Sequence, residues 1–164
     1  PERIAVRGAN GAGKTTLLRA IMGDVTPEAG EVRRLTERIA MLDQHVSLLA
    51  EGDSVLENLR RLNPDLSENA GRAALARFGF RGGAALQPAG TLSGGERLRA
   101  GMACVFARAE APWLLVLDEP TNHLDLPAVE LLEAALSGFD GALIVVSHDD
   151  AFLEAIGVSR AVRL

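Results

Sequence analysis

Gly8-Ala9-Asn10-Gly11-Ala12-Gly13-Lys14-Thr15 decides how this chain is read. It is too rich in glycine for helix or strand, and it fits the pattern G-x-x-x-x-G-K-[ST]. The apolar run Ile4-Ala5-Val6 before it reads as a strand, Arg3 to Val6. After it, Leu17, Leu18, Ile21 and Met22 fall on one face of a helix, Lys14 to Met22, that Gly23 stops. Glycines let the backbone wrap a phosphate with its N–H groups turned inward, and the helix N-terminus adds partial positive charge. Lys14 is then placed to reach the β- and γ-phosphates and the Thr15 hydroxyl to ligate Mg²⁺. Residues Gly8 through Thr16 form the cradle. This motif points to a nucleoside triphosphate and leaves the base open.

The rest of the chain fits one domain around that loop. It has 164 residues, 48% of them apolar and 24% charged. A chain of this size buries roughly 68–70% of the surface its unfolded form exposes. No apolar run reaches the roughly 18 residues that span a membrane. One cysteine, Cys104, excludes a disulfide framework and a cysteine-based zinc site. The net charge is −5, which argues against general nucleic-acid binding. Of the 17 basic residues only Lys14 is lysine, so its identity answers a special need.

Downstream, Glu31 to Arg33 and Arg38 to Leu42 read as short strands. Ser54 to Arg61, Ser67 to Phe78 and Ser93 to Ala109 read as helices, each opened by a capping serine, with a loose loop from Gly79 to Gly90. Residues 50–95 therefore read as a helical insertion. Trp113 to Leu117 and Ala142 to Val146 are continuous apolar runs, the mark of strands buried on both faces. Pro127 to Leu136 and Asp149 to Ile156 are helical, and Arg160 to Leu164 is a final strand. The expected class is α/β, a mainly parallel sheet flanked by helices.

Two further segments carry chemistry. Asp118 and Glu119 stand at the C-terminal end of a buried strand, where ligands sit in open α/β sheets. Mg²⁺ held through Asp118 offsets the cost of burying that carboxylate, and Glu119 is placed to orient or deprotonate a water attacking the γ-phosphate. Read alone, the pair would equally serve as a cap or turn before Pro120. Leu92-Ser93-Gly94-Gly95-Glu96 opens a helix and makes a second anion site by the logic of the first. Ser93 and Glu96 also fit an ordinary capping box, and both readings can hold together.

Taken in order, the phosphate loop, Gln44, Leu92-Ser93-Gly94-Gly95-Glu96, Asp118-Glu119, Asp125 and His148 resemble the ATP-binding cassette (ABC) family of P-loop NTPases over essentially the whole chain. The resemblance implies an ATPase using Mg²⁺. Thr15, Gln44 and Asp118 would hold the metal, Glu119 and His148 would act at the γ-phosphate, and Gln44 would sense it. Ser93, Gly94 and Gly95 would cap the γ-phosphate of a second cassette in a head-to-tail sandwich, and Asp125 would link the two cassettes. His148 read alone could be a capping residue, and Gln44 a surface amide. His45 and His123 read as surface or loop residues.

Thr121-Asn122-His123-Leu124-Asp125 after Asp118-Glu119-Pro120 resembles the ABC-F branch. So do Leu75-Ala76-Arg77-Phe78-Gly79-Phe80 and Gly138 to Leu153, which resemble that branch's C-terminal cassette. Those proteins carry two cassettes and no membrane domain, and many act on the ribosome in translation or antibiotic resistance. The resemblance thus implies a cytoplasmic protein with a ribosome-like partner and no direct membrane insertion. Family cassettes begin earlier, with an aromatic that stacks on adenine; the chain is expected to be a cassette lacking its N-terminal strands. Other activities remain open: the ATPase subunit of a membrane transporter, or a nucleotide-gated binding module with negligible turnover.

Overall fold

The computed structural model describes residues 1–122 and 124–164, so the reading of His123 lies outside the described residues. Five strands form one sheet: β1 (Arg3–Arg7), β2 (Ile39–Leu42), β3 (Leu114–Asp118), β4 (Ala142–Val146) and β5 (Arg160–Arg163). Every ladder is parallel, and the order is β2-β3-β4-β1-β5. Parallel strands send all their following loops out at one edge. The register sharpens this: Val6 pairs with Val146, and Asp118 pairs with Val146 on its other side. The loops after β1, β3 and β4 therefore leave the sheet at the same level.

The chain divides into two compact units. The first, Pro1–Gln44, Pro112–Asn122 and Glu133–Leu164, contains the sheet. On one face Val6, Val116 and Val146 pack with Leu18 of α1 (Lys14–Met22), joined by Leu17, Ile21 and Met22. The alternate residues Ala5, Leu115, Leu117, Leu143 and Val145 are at most 1% exposed. Both faces of the central strands are thus sealed, as continuous apolar runs require. Each of these valines and leucines contributes about 1.5–3 kcal/mol on burial. α1 starts after Gly13 (φ 93) and ends at Gly23 (φ 87), whose amide donates to Arg19 and Ala20 carbonyls.

The second unit, His45–Ala111 and His123–Leu132, is helical. It contains α2 (Val55–Leu62), α3 (Glu68–Arg77), α4 (Gly94–Phe106) and the start of α5 (Leu126–Ser137). Ser54, Ser67 and Ser93 cap their helices through the N3 amide, and at Ser54 and Ser93 the N3 glutamate returns the bond. Asn58 is fully buried, exchanging bonds with the Ala50 amide and carbonyl and accepting from Arg61. α6 (Asp150–Ala155) belongs to the first unit and is capped by Asp149.

Four expectations are corrected. Glu31 to Arg33 forms no strand: the stretch is exposed and pairs with no strand among the described residues. Gly79 to Gly90 is not a loose loop. It holds two 3₁₀ turns, Gly82–Leu86 and Ala89–Thr91, pinned by the Ala89 amide to Asp53 and the Gly90 amide to Glu51. α4 stops at Phe106 rather than Ala109, with the Ala107 amide closing on Ala103. Trp113 lies outside β3; it is 58% exposed and lies under the Arg38 guanidinium, 5.0 Å from the ring centre.

Candidate functional site

A cavity of about 480 Å³ opens at the C-terminal edge of the sheet. It is lined by Asn10, Gly11, Gly13, Lys14, Thr15, Thr16, Gln44, Asp118, Glu119 and Asn122. Gly11 (φ 81) and Gly13 (φ 93) hold left-handed turns that side chains resist, and that curl the loop over the start of α1. The opening amides of a helix have no partner within it and so face whatever occupies this space. Gly8, Ala9 and Ala12 belong to the same loop, and the Ala12 amide donates to Ala9.

Lys14 is 9% exposed, and its ammonium donates to the Gly8 (2.9 Å) and Ala9 (3.1 Å) carbonyls. The loop thus holds its one cation against its own backbone. The Thr15 hydroxyl donates to Asp118 Oδ2 at 2.8 Å, tying the first turn of α1 to the end of β3. Asp118 is 6% exposed. A buried carboxylate beside a hydroxyl, with the Gln44 amide on the same cavity, is a set of hard oxygen donors that suits Mg²⁺.

Glu119 has φ 48, the left-handed region, where a non-glycine residue costs about 1–3 kcal/mol. Its amide donates to the Val146 carbonyl (2.9 Å), and its carbonyl accepts from the Asn122 amide (3.2 Å). These bonds hold the kink. His148 Nε2 lies 3.3 Å from Glu119 Oε1. His148 does not cap α6; Asp149 does, through the Phe152 amide. Asn122, which the sequence reading passed over, joins the cavity because the Glu119-to-Asn122 turn folds it back. Pro120 inside that turn was the available signal.

Ser93, Gly94, Gly95 and Asp125 do not line this cavity. They line another, of about 400 Å³, with Glu96, Arg99, Pro127, Ala128 and Leu131. Two helix starts meet there. α4 is capped by Ser93, and Asp125 Oδ1 accepts from the Ala128 amide at the start of α5. A Cβ on Gly95 would stand 3.2 Å from that of Ala128, so glycine keeps the approach open. Glu96 Oε2 accepts from both the Ser93 amide (2.9 Å) and hydroxyl (2.7 Å). The amide bond first, then the hydroxyl, hold the Glu96 carboxyl below its ordinary range.

A glycine loop between a parallel strand and a helix, with an acidic strand end beside it, defines the P-loop NTPase fold. Residues 1–122 match the family model described as ABC transporter, and the chain belongs to that family. It is 40% identical over 160 residues to "ABC transporter F family member 4" of Arabidopsis thaliana, covering 94% of this chain and 22% of that protein. It is 40% identical over 157 residues to "ATP-binding cassette sub-family F member 3" of Mus musculus, again covering 94% of this chain and 22% of that one. A bacterial Atm1-family ABC exporter with ATP bound superposes with a TM-score of 0.76 at 20% identity, over 93% of this chain and 30% of that one. The chain thus spans about a fifth of these F-family relatives. ABC cassettes as a class are ATPases that bind ATP, generally with Mg²⁺. No helix among the described residues is long and apolar enough to cross a membrane.

Proposed function

We propose that this chain is one half of an ATP-hydrolysing pair of cassettes of the ABC-F type. The observation that carries the reading is the Thr15–Asp118 bond, which closes the phosphate loop onto the acidic strand end in one cavity with Lys14, Gln44 and Glu119. The triphosphate lies along the amides of residues 11–16, and Lys14 turns from its own carbonyls to the β- and γ-oxygens. Mg²⁺ held by Thr15, Asp118 and Gln44 would neutralise charge on those oxygens. Glu119 orients or deprotonates the water that attacks the γ-phosphorus as its bond to the β–γ bridging oxygen breaks, leaving ADP and phosphate, while His148 bonds the γ-phosphate.

The second cavity takes the γ-phosphate of a facing cassette. α4 offers amides that its cap leaves free, and Asp125 stands beside them as the link between cassettes. ATP closes the pair and hydrolysis reopens it. In the whole protein that motion acts on a ribosome-like partner in the cytoplasm, in translation or antibiotic resistance; the likeness to F-family proteins supports this step. On the same reading the chain is a single nucleotide-binding domain in which residues 50–95 form a helical insertion.

The test is a crystal grown with Mg²⁺ and a nonhydrolysable ATP analogue. Phosphate density against residues 11–16 is expected. Density elsewhere, with this loop empty, overturns the assignment.

A further inference from the structure

β4 ends at Val146 and α6 begins at Asp150, so Ser147, His148 and Asp149 join the sheet to a helix. His148 is the one of the three that the proposed reaction uses, and burial does little to hold it. Its side chain is 59% exposed, and a ring at the surface keeps the rotamer freedom that burial removes. The backbone beneath it must therefore set where the imidazole points.

That backbone is fixed from both sides. Ser147 is 2% exposed, and its hydroxyl accepts from the Asp149 amide at 3.1 Å. The bond runs from one neighbour of His148 to the other and closes a loop of atoms that includes the His148 backbone, as serine side chains do in tight turns. Asp149 is anchored in its turn. Its Oδ1 accepts from the Phe152 amide (3.0 Å) and its carbonyl from the Leu153 amide (3.0 Å), and both of those residues are buried. On the other side of Ser147, the Val146 carbonyl accepts from the Glu119 amide (2.9 Å). Glu119 and His148 are thus tied to the same point of β4, Glu119 by its own amide and His148 through Ser147. Alanine would fill almost the same space as Ser147. What the hydroxyl adds is the bond across His148.

We propose that Ser147 is a positioning residue whose hydroxyl closes the turn over His148 and so aims the imidazole at Glu119, which lines the phosphate-loop cavity. This holds only if His148 acts at the γ-phosphate, as proposed above. All the groups involved belong to the first compact unit.

Ser147→Ala tests it in two ways. The first is an NMR contact in this chain, the nuclear Overhauser effect between the His148 ring protons and the Glu119 γ-protons. Wild type should show it, and folded Ser147→Ala should lose most of it. The second is a double-mutant cycle in the full-length protein. Ser147→Ala should lower kcat by about three- to tenfold, the loss of one hydrogen bond. In a His148→Ala background it should lower kcat no further, because the group it positions is gone. A role in stability alone would cost the same factor in both backgrounds and would leave the ring contact intact in the folded chain. A contact in Ser147→Ala as strong as in wild type overturns the proposal, as does a contact already missing from wild type. Unchanged kcat in Ser147→Ala, or equal losses with and without His148, overturns it too. Where His148→Ala shows no turnover to compare, the ring contact decides. His148→Ala turning over at the wild-type rate overturns instead the role given to His148, and the proposal with it.

Discussion

Glu119 and His148 meet across the ends of neighbouring strands, Oε1 to Nε2 at 3.3 Å, because the Glu119 amide is bonded to the last residue of β4. The imidazole thus stands beside the one carboxylate of the pair that lines the cavity. Glu119→Gln keeps the shape of the side chain and removes its basicity. It is expected to leave Mg-ATP binding nearly unchanged and to lower kcat by about 10²–10⁴-fold. Phosphate release by the full-length protein, set beside calorimetric binding, measures both. A variant that turns over at the wild-type rate removes Glu119 from the reaction.

Lys14→Ala deletes the loop's cation. Hydrogen bonds to charged groups contribute about 1.5–3 kcal/mol, so the affinity for Mg-ATP should fall by roughly tenfold to a hundredfold. Equal heats of binding for wild type and variant would count against the phosphate-loop assignment.

The two cavities carry different halves of the proposed chemistry, with Lys14 on one and Ser93 on the other. A lone chain should therefore hydrolyse ATP slowly, and its specific activity should climb with protein concentration. Turnover measured across a dilution series reads this directly. Fast, concentration-independent hydrolysis by a proven monomer contradicts it.

Cys104 is buried, and burial pushes its thiol up to about 12 against a smaller opposing pull from Arg61 and Arg108. The thiolate is the reactive form. Thiol reagents near pH 8 should leave the native chain unmodified and react once it is denatured. Quantitative labelling of the folded chain is the opposing result.

The Glu96 carboxyl is lowered from its ordinary 4.5 by the Ser93 amide and hydroxyl. A depressed acid stabilises the fold fully above its unfolded value, and the contribution is lost as pH falls through the folded one. The stability gap between wild type and Glu96→Gln should thus be constant above about pH 5 and shrink below pH 4.5. Urea unfolding at several pH values checks this; a gap that widens on acidification has the wrong sign.

Much of the fold was legible in residue order because the local signals agreed. Glycines bracket α1 at Gly13 and Gly23, so its bounds fell where the pattern placed them. β4 occupies Ala142–Val146, the whole of its apolar run. The errors arose where tertiary bonds, not the local pattern, decided the outcome. Glu31 to Arg33 has strand-like residues but pairs with no strand among the described residues, and Trp113 is apolar but outside the strand, under the Arg38 guanidinium. At the site, motif residues could be named, but their neighbours could not. Asn122 enters the cavity only through a turn. The left-handed backbone of Glu119 and Val46 leaves no trace in residue type, since neither is glycine.

Lys14 is the only lysine in the chain, and its nitrogen is folded onto two carbonyls under the loop. Amine-directed reagents such as activated esters consequently have a single side-chain target, one shielded at rest. Acylation of that nitrogen becomes a chemical gauge of loop opening, read by mass spectrometry without a fluorophore or an engineered tag.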